Sequence, residues 1–375
     1  MLTSVLGNVS LKFSDEQSML MDVARGFLND KAPTDKIREF LESDQGYEPQ
    51  LWSEIVDLGW TGIALPEMVG GAGLGISAVI PVAEAMGHAL LGTPLIDTTL
   101  AGQLLLRAGG AEQEPLLQEI AEGRIATVAF LDGGDWGGAN LALTMTTEGV
   151  LSGSKTFVGC GHEASLILVV GQCDNAPAIA VVDAADLKAG AISVNTLIDL
   201  TKRTAQIDFT GVAAKAVLTG EHVVAAIRDY RLLGALLTAA EAAGSAARCL
   251  AVIVDYLKTR KQFGAPIGAN QVLQHRMVEM VIVAEQARSM LDAGATQKCN
   301  AYPVGVLVDA RMSEVYAGAY QWSAETNDWH AVLPLQVGPP EAMLDALHSL
   351  QRPCCAWVGN GFEVYKERLH SSGSF

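Results

Sequence analysis

The sequence is poor in charge and has no basic excess. Of its 375 residues only 18% are charged, and 25 Lys and Arg face 42 Asp and Glu, which gives a formal net charge of −17. Proteins that bind nucleic acid or anionic membranes without specificity need a net basic face. The composition therefore argues against both classes of partner, and an anionic small ligand could bind only at a local basic site.

Cysteine is also sparse, and its spacing carries no motif. The six cysteines are scattered and no two of them form a CxxC pair. This pattern is typical of reduced thiols in a cytoplasmic protein. The histidines lack ligand spacing as well, so we expect no metal site.

Long apolar runs are missing, although half of the residues are hydrophobic. No such run reaches the roughly 18 residues of a membrane span, and the first residues show no basic region followed by a long apolar stretch. We therefore expect a soluble protein with no membrane span. The length and the apolar excess predict two or three domains whose core is extended by subunit contacts.

Three regions with different sequence patterns follow one another along the chain. Helical spacing dominates residues 1–123, and short β-branched or alternating runs separated by turn residues fill residues 124–222. Because no helices alternate with these strands, an antiparallel barrel or sandwich is favoured over a Rossmann-type parallel sheet. Residues 223–375 are helical again and apolar on nearly every face, which is typical of a packed bundle. The predicted fold is α+β and multidomain: an N-terminal all-α domain, a middle β-domain and a C-terminal α-helical bundle.

Basic and amide side chains gather in the stretch YLKTRKQFGAPIGANQVLQHRMVEM, residues 256–280. The pattern predicts a helix, a short break around Phe263, and a second helix that begins at Asn270, a good N-cap. Arg260 at the end of the first helix can act as a two-pronged donor to phosphate oxygens. It can equally complement the helix dipole, and the residues alone do not choose between these interpretations.

Three blocks, in order, carry a resemblance to a known family. LPEMVGGAGLG, LSGSKTFVGCGHEASLILVV and KTRKQFGAPIGANQVLQHRMVEM resemble blocks of the acyl-CoA dehydrogenase family, over about Phe13 to Met312. The spacing and the segment AAEAAGSAARCL are most similar to a bacterial branch whose members often act as paired, unlike subunits. Some of those pairs act on sterol side chains.

The resemblance implies an FAD-dependent enzyme that oxidises an acyl-CoA thioester across its α and β carbons. A carboxylate removes the α proton, and the β hydrogen leaves as hydride to the flavin. The resemblance also implies cofactor contacts from Arg260, Phe263 and Gln271, which reach the FAD of a neighbouring subunit, and from Gly359 and Gly361 in a C-terminal loop. A dimer or tetramer of like or unlike subunits, and electron-transfer flavoprotein as acceptor, are implied too.

The catalytic glutamate of the family is missing from both of its usual places. Spacing back from RKQFG puts one place at Gly234, and the C-terminal loop puts the other near Leu369. Glu241, two turns after Gly234 on the same helix face, is the candidate base, with a structural carboxylate as the alternative. Glu363 and Glu367 are weaker candidates in a polar tail.

The segments expected to contact the flavin also depart from the family. FLDGGDWGG, residues 130–138, loses a threonine and a serine, and Cys355 and Val358 stand where the family has glutamine and glycine. After about residue 313 the family pattern is lost, and prolines interrupt what should be a bundle helix. Three hypotheses stay open. They are an active dehydrogenase with a displaced base, a non-catalytic partner subunit that completes another chain's FAD site, and a flavin-free acyl-CoA-binding or structural homologue.

Overall fold

The structure is a computed structural model that describes residues 15–133, 141–295, 304–311, 314–323, 328–350 and 356–358, together with Tyr365. Its internal contacts group the chain into two units, one of Met19–Glu241 and one of Met1–Ser18 together with Ala242–Phe375. The border between them falls within the longest helix.

Helices fill the first part of the chain: α1 (Asp15–Lys31), α2 (Thr34–Leu41), α3 (Pro49–Asp57), α4 (Ile80–Ala89), α5 (Leu95–Ala108) and α6 (Glu114–Ala121). Helix α5 is central, because Leu104 and Leu105 on it are almost fully enclosed. The glycine-rich segment before α4 is a tight connection. A Cβ on Gly71 would lie 2.1 Å from the carbonyl oxygen of Leu65, so only glycine fits there.

Short strands follow: β1 (Ala126–Ala129), β2 (Thr144–Met145), β3 (Leu151–Ser152), β4 (Ser154–Gly159), β5 (Leu166–Cys173), β6 (Ala176–Asp183), β7 (Ile192–Val194), β8 (Thr204–Asp208) and β9 (Ala216–Leu218). They form a six-stranded sheet of order β3-β2-β5-β6-β9, with β1 also paired to β5, and a three-stranded sheet of order β4-β8-β7. Strands β1 and β2 run parallel to β5, and the other pairings are antiparallel.

The two sheets share one apolar core. Ile167 and Val169 of β5 are fully buried in the same cluster as Val158 of β4 and Ile207 of β8. The alternating runs in the sequence thus correctly predicted a β-domain, and its arrangement is that of a sandwich. Within the described residues the strands do not close into a barrel.

Helix α7 (Glu221–Thr259) is the longest element and continues through a small hairpin, β10 (Lys261–Gln262) and β11 (Ala265–Pro266), into α8 (Gln271–Ala295). Many of its apolar side chains are exposed in the single chain. By length and composition α7 passes the test for a membrane span, the only described helix to do so; this is weak support, because core helices of soluble proteins pass it too.

The last part of the chain adds strands to the C-terminal helices: β12 (Val304–Arg311), β13 (Glu314–Ser323), β14 (Asp328–Gly338), α9 (Pro340–His348) and β15 (Ala356–Val358). Val315, Ala317 and Ala319 alternate toward Leu344 and Leu347 of α9, and all five are fully buried. This period of two is that of a strand, not of the bundle helix that the resemblance implies here.

Candidate functional site

The corner between α7 and α8 is held by its own backbone. The amide of Arg260 donates to the carbonyl of Tyr256 at 2.8 Å, and the amide of Ile267 donates to the carbonyl of Arg260 at 2.8 Å. Lys261 pairs with Pro266, and Gln262 with Ala265, in the two-residue ladder. A rigid backbone therefore presents the side chains of this corner at fixed positions.

Three side chains predicted to bind cofactor lie at this corner. Phe263 is fully exposed and adopts a left-handed φ of 53°, which is strained for an aromatic residue. Arg260 and Gln271 are exposed, and neither side chain bonds to any other described residue. Asn270 caps α8, because its Oδ1 accepts from the amide of Val272 at 3.1 Å. Guanidinium, ring and amide are all available to a ligand.

The other predicted cofactor residues lie partly outside the described chain. Gly359 and Gly361 are not among the described residues. Of the segment 130–138 only the first four residues are described, and one of them, Asp132, forms a buried ion pair with Lys155 of β4. Nζ of Lys155, which is 0% exposed, lies 2.6 Å from Oδ2 of Asp132 and donates to the carbonyl of Phe130 at 2.9 Å. Burial lowers the Lys155 pKa, and Asp132 opposes this.

Glu241, the candidate base, is bound to a lysine. Its Oε1 lies 2.6 Å from Nζ of Lys202, and its side chain is 16% exposed. Burial opposes the charge of Lys202, but the charge and hydrogen bond of Glu241, together with Asp97 and Asp199, outweigh this and raise the Lys202 pKa. The ion pair supports the structural alternative for Glu241.

The position at which the family spacing predicts the catalytic base, residue 234, carries no acidic side chain. Gly234 lies on α7 opposite α5, and a Cβ built on it would meet Leu100 Cδ1 at 3.8 Å, an ordinary contact. There is room for a side chain at this position, and none is present.

A cluster of titratable side chains near Glu241 was missed by the sequence analysis. The thiol of Cys160 donates to Oδ2 of Asp97 at 3.4 Å, and Oη of Tyr47 donates to Oε2 of Glu163 at 2.7 Å. The other oxygen of Glu163 is buried and has no hydrogen-bond partner among the described residues. We call Tyr47, Asp97, Cys160 and Glu163 the acid–thiol cluster.

Burial dominates the electrostatics of the acid–thiol cluster. Burial raises the pKa of Asp97, and the charge of Glu241 raises it further. The hydrogen bond from Cys160 and the charge of Lys202 lower it. Burial also raises the pKa of Glu163, and it raises the Cys160 pKa well above its ordinary value. Burial therefore favours the protonated form of both carboxyl groups relative to an exposed acid.

These observations fit a bound dinucleotide at the helix corner, where an unpaired guanidinium can meet phosphate and an exposed ring can cover an aromatic face. Among the described residues no three His, Cys, Asp or Glu side chains gather in a way that could hold a metal ion.

Comparison with known proteins decides the family. The N-terminal domain model of the acyl-CoA dehydrogenases matches residues 14–124, and their C-terminal domain model matches residues 232–322. The chain is 31% identical over 280 residues to acyl-CoA dehydrogenase IpdE2 of Mycolicibacterium smegmatis. The aligned region covers 74% of this chain and 76% of that protein. The chain belongs to the acyl-CoA dehydrogenase family. Acyl-CoA dehydrogenase FadE12 of Mycobacterium bovis is 30% identical over 292 residues, with 72% and 74% covered.

Solved structures of acyl-CoA dehydrogenases share the fold. A variant of the steroid acyl-CoA dehydrogenase Tcur3481–Tcur3483 aligns with a TM-score of 0.68 and 30% identity over 75% of this chain and 77% of that one. The ChsE4–ChsE5 complex of Mycobacterium tuberculosis aligns with a TM-score of 0.69 and 26% identity, over 77% and 79%. The predicted family and order of α, β and α regions are thus confirmed.

Proposed function

We propose that this chain is an FAD-dependent acyl-CoA dehydrogenase that introduces an α,β double bond into an acyl-CoA thioester. The observation that carries the proposal is the corner of α7 and α8, where Arg260 and Phe263 stand exposed on a rigid and locally strained backbone. Strain of this kind persists where a ligand or neighbouring chain uses the residue. Membership of the family supplies the rest of the argument.

Each residue of the proposed cofactor site has a role. Arg260 donates to the pyrophosphate, Phe263 covers an aromatic face, and Gln271 donates a hydrogen bond. Gly359 and Gly361 let backbone approach the cofactor closely. FAD, when bound, supplies the acceptor for the β hydrogen. Glu241 remains a candidate base only if its bond to Lys202 opens.

The setting of the enzyme follows from the family and is proposed with it. We expect a cytoplasmic dimer or tetramer, with like or unlike subunits, an acyl-CoA substrate of fatty acid or sterol catabolism, and electron-transfer flavoprotein as acceptor. The exposed apolar side chains of α7 and α8 support assembly.

The visible spectrum of the purified protein tests the proposal. We expect a yellow protein that loses its flavin absorbance when an acyl-CoA is added without oxygen. Arg260→Ala should weaken FAD binding at least ~10-fold, because a charge-assisted hydrogen bond contributes roughly 1.5–3 kcal/mol. Phe263→Ala should also weaken it, because the ring that covers an aromatic face is lost. Lys258→Ala removes a neighbouring exposed cation and should leave binding unchanged. A colourless protein that takes up no added FAD would overturn the proposal.

A second function, a non-catalytic partner subunit, is favoured by Gly234 and by the ion pair of Glu241. In that case Arg260 and Phe263 complete the FAD site of an unlike chain. The yellow protein would then never lose its colour with any acyl-CoA until that second chain is added. A flavin-free acyl-CoA-binding homologue would stay colourless in both experiments.

A further inference from the structure

Helices α5 and α7 run in opposite directions along a shared seam. Arg107 of α5 pairs with Asp229 of α7 at 3.7 Å, while Leu100, earlier on α5, faces Gly234, later on α7. Asp97 lies on the same face of α5 as Leu100, three residues before it. Measured along the axis of α7, Asp97 therefore lies about one helical turn, ~5 Å, from Gly234 toward the C-terminal end of α7.

The end of β4 is shaped around the carboxyl group of Asp97. A Cβ on Gly159 would lie 2.3 Å from Oδ1 of Asp97, so the carboxyl fills the space of a side chain. The hydroxyl of Thr127 donates to the carbonyl of Gly159 at 2.6 Å and fixes that carbonyl. Cys160 adds the thiol donor to Oδ2. The carboxyl is thus positioned from two sides, and the residue keeps partial exposure.

Asp97 also differs from Glu241 in its partners. Glu241 is bound to Lys202, and none of the described cations forms an ion pair with Asp97. A carboxylate held by an ammonium is a poorer proton acceptor than one that is partly buried beside a weak thiol donor.

We propose that Asp97 replaces the missing family glutamate and takes the α proton of the thioester substrate at the seam of α5 and α7. The inference rests on the proposed function. The Cα–H bond breaks and its proton passes to an Asp97 carboxylate oxygen. The freed electron pair forms the Cα–Cβ double bond as the β hydrogen leaves with its own pair. The substrate thereby loses two electrons, for which FAD, when bound, would supply the acceptor.

The surroundings of Asp97 suit repeated proton transfer. Burial and Glu241 raise its pKa, which brings a carboxyl group toward the range where a general base works best at neutral pH. Glu163 lies near Asp97 and accepts a hydrogen bond from the hydroxyl of Tyr47. Two further titratable groups act on Asp97 or lie beside it, Lys202 and Tyr230. Lys202 stays charged, because Glu241 raises its pKa, and Tyr230 stays neutral, because burial raises its pKa.

Anaerobic reduction by acyl-CoA separates the candidates. In wild type the flavin absorbance falls; in Asp97→Asn we expect an unchanged FAD spectrum but at least ~100-fold slower loss of absorbance, the usual contribution of a general base. Asp35→Asn, which alters an exposed acid at the start of α2, is the control and should react at a rate within about threefold of wild type. Adding Gly234→Glu to Asp97→Asn should restore part of the rate, because a carboxylate returns to the same seam.

The outcomes separate the two proposals. If wild type, alone and with its partner chain, never loses absorbance, the proposed function falls and Asp97 falls with it. If wild type reacts and Asp97→Asn reacts equally fast, only the role of Asp97 is overturned. If Asp97→Asn does not fold, Cys160→Ala decides. Loss of the thiol donor should raise the Asp97 pKa, so the acid limb of the rate profile moves to higher pH, and an unmoved profile overturns the proposal.

Infrared titration of the flavin-free protein gives a readout independent of turnover. A protonated carboxyl band that disappears as pH rises should be smaller in Asp97→Asn than in wild type, and unchanged in Asp35→Asn, which alters an exposed acid. An identical band in Asp97→Asn and wild type would contradict the proposal.

Discussion

At the scale of single residues, this protein encloses charges that only their partners make tolerable. The buried Lys155 is satisfied by one carboxylate and one carbonyl, and Asp132 is further held by the amide of Leu143 at 3.1 Å. Removing one member of such a pair leaves the other desolvated and uncompensated. The described part of the loop segment after β1 is therefore held by the contacts of Lys155 and Asp132.

Replacing Lys155 with methionine tests that dependence. The change keeps the length of the side chain and removes its charge, so we expect a loss of about 3–5 kcal/mol in the free energy of unfolding. Lys36→Met breaks an exposed pair with Glu39 and should cost less than ~1 kcal/mol. Urea unfolding followed by fluorescence measures both; equal losses would show that burial of Lys155 is unimportant.

The acid–thiol cluster makes a prediction about pH. Burial raises the pKa of Asp97 and Glu163 in the folded state, so at these two sites the folded protein holds protons more tightly than the unfolded chain. This stability is present below the unfolded pKa values and is lost as pH rises through the folded ones. Between about pH 4 and about pH 8 the urea midpoint of Asp97→Asn should therefore fall less than that of wild type.

The control for the pH experiment is Asp35→Asn, because that side chain is exposed at the start of α2. Its midpoint should follow the wild-type pH dependence. If Asp97→Asn also follows it, the carboxyl of Asp97 does not carry a raised pKa in the folded protein.

At the scale of elements, what the sequence predicted correctly is local. The end of α7, the break at Phe263 and the cap at Asn270 were all readable because capping and turn chemistry depend on neighbouring residues. The acid–thiol cluster was not readable. Asp97 and Cys160 are 63 residues apart in sequence, and Tyr47 and Glu163 are 116 apart, so only the packing of helix on sheet joins them.

The strands after residue 303 were not predicted, although the local sequence pattern indicates them. The family resemblance implied a helix, and prolines were expected to interrupt it. Of the prolines expected to interrupt it, Pro339 and Pro340 instead stand at the start of α9, and Pro353 lies outside the described residues. The first turn of a helix tolerates proline because its missing amide needs no partner there. The alternation at Val315, Ala317 and Ala319 was the signal that could have revealed a strand.

The contact of α4 with α7 gives a prediction at the element scale. A Cβ on Gly87 would lie 2.0 Å from the carbonyl oxygen of Glu241, so Gly87→Ala must push the helices apart. We expect a loss of about 1–3 kcal/mol in the free energy of unfolding. Gly26→Ala, in an exposed part of α1 with nothing within 4 Å, should instead gain about 0.5–1 kcal/mol. Similar effects at both sites would contradict the close contact.

At the scale of the whole molecule, the apolar excess of the sequence is only partly used inside the chain. Several apolar side chains on the long helices are exposed: Val252 and Tyr256 on α7, and Val272, Val278 and Val283 on α8. Monomeric proteins seldom leave such a row of apolar groups in water. A helix pair that is apolar on its outer faces is typical of a bundle completed by other subunits.

The native mass of the protein tests this at the same scale. A single chain is 39.5 kDa, and we expect light scattering to give a multiple of that mass. Val252→Glu would bury an unpaired carboxylate in the assembly and should weaken association at least ~10-fold, because desolvating a charge is costly. Val194→Glu changes an equally exposed valine on the edge strand β7 and should leave the mass unchanged. A single-chain mass for wild type, both alone and with an unlike family member, would mean that the apolar row serves no subunit contact.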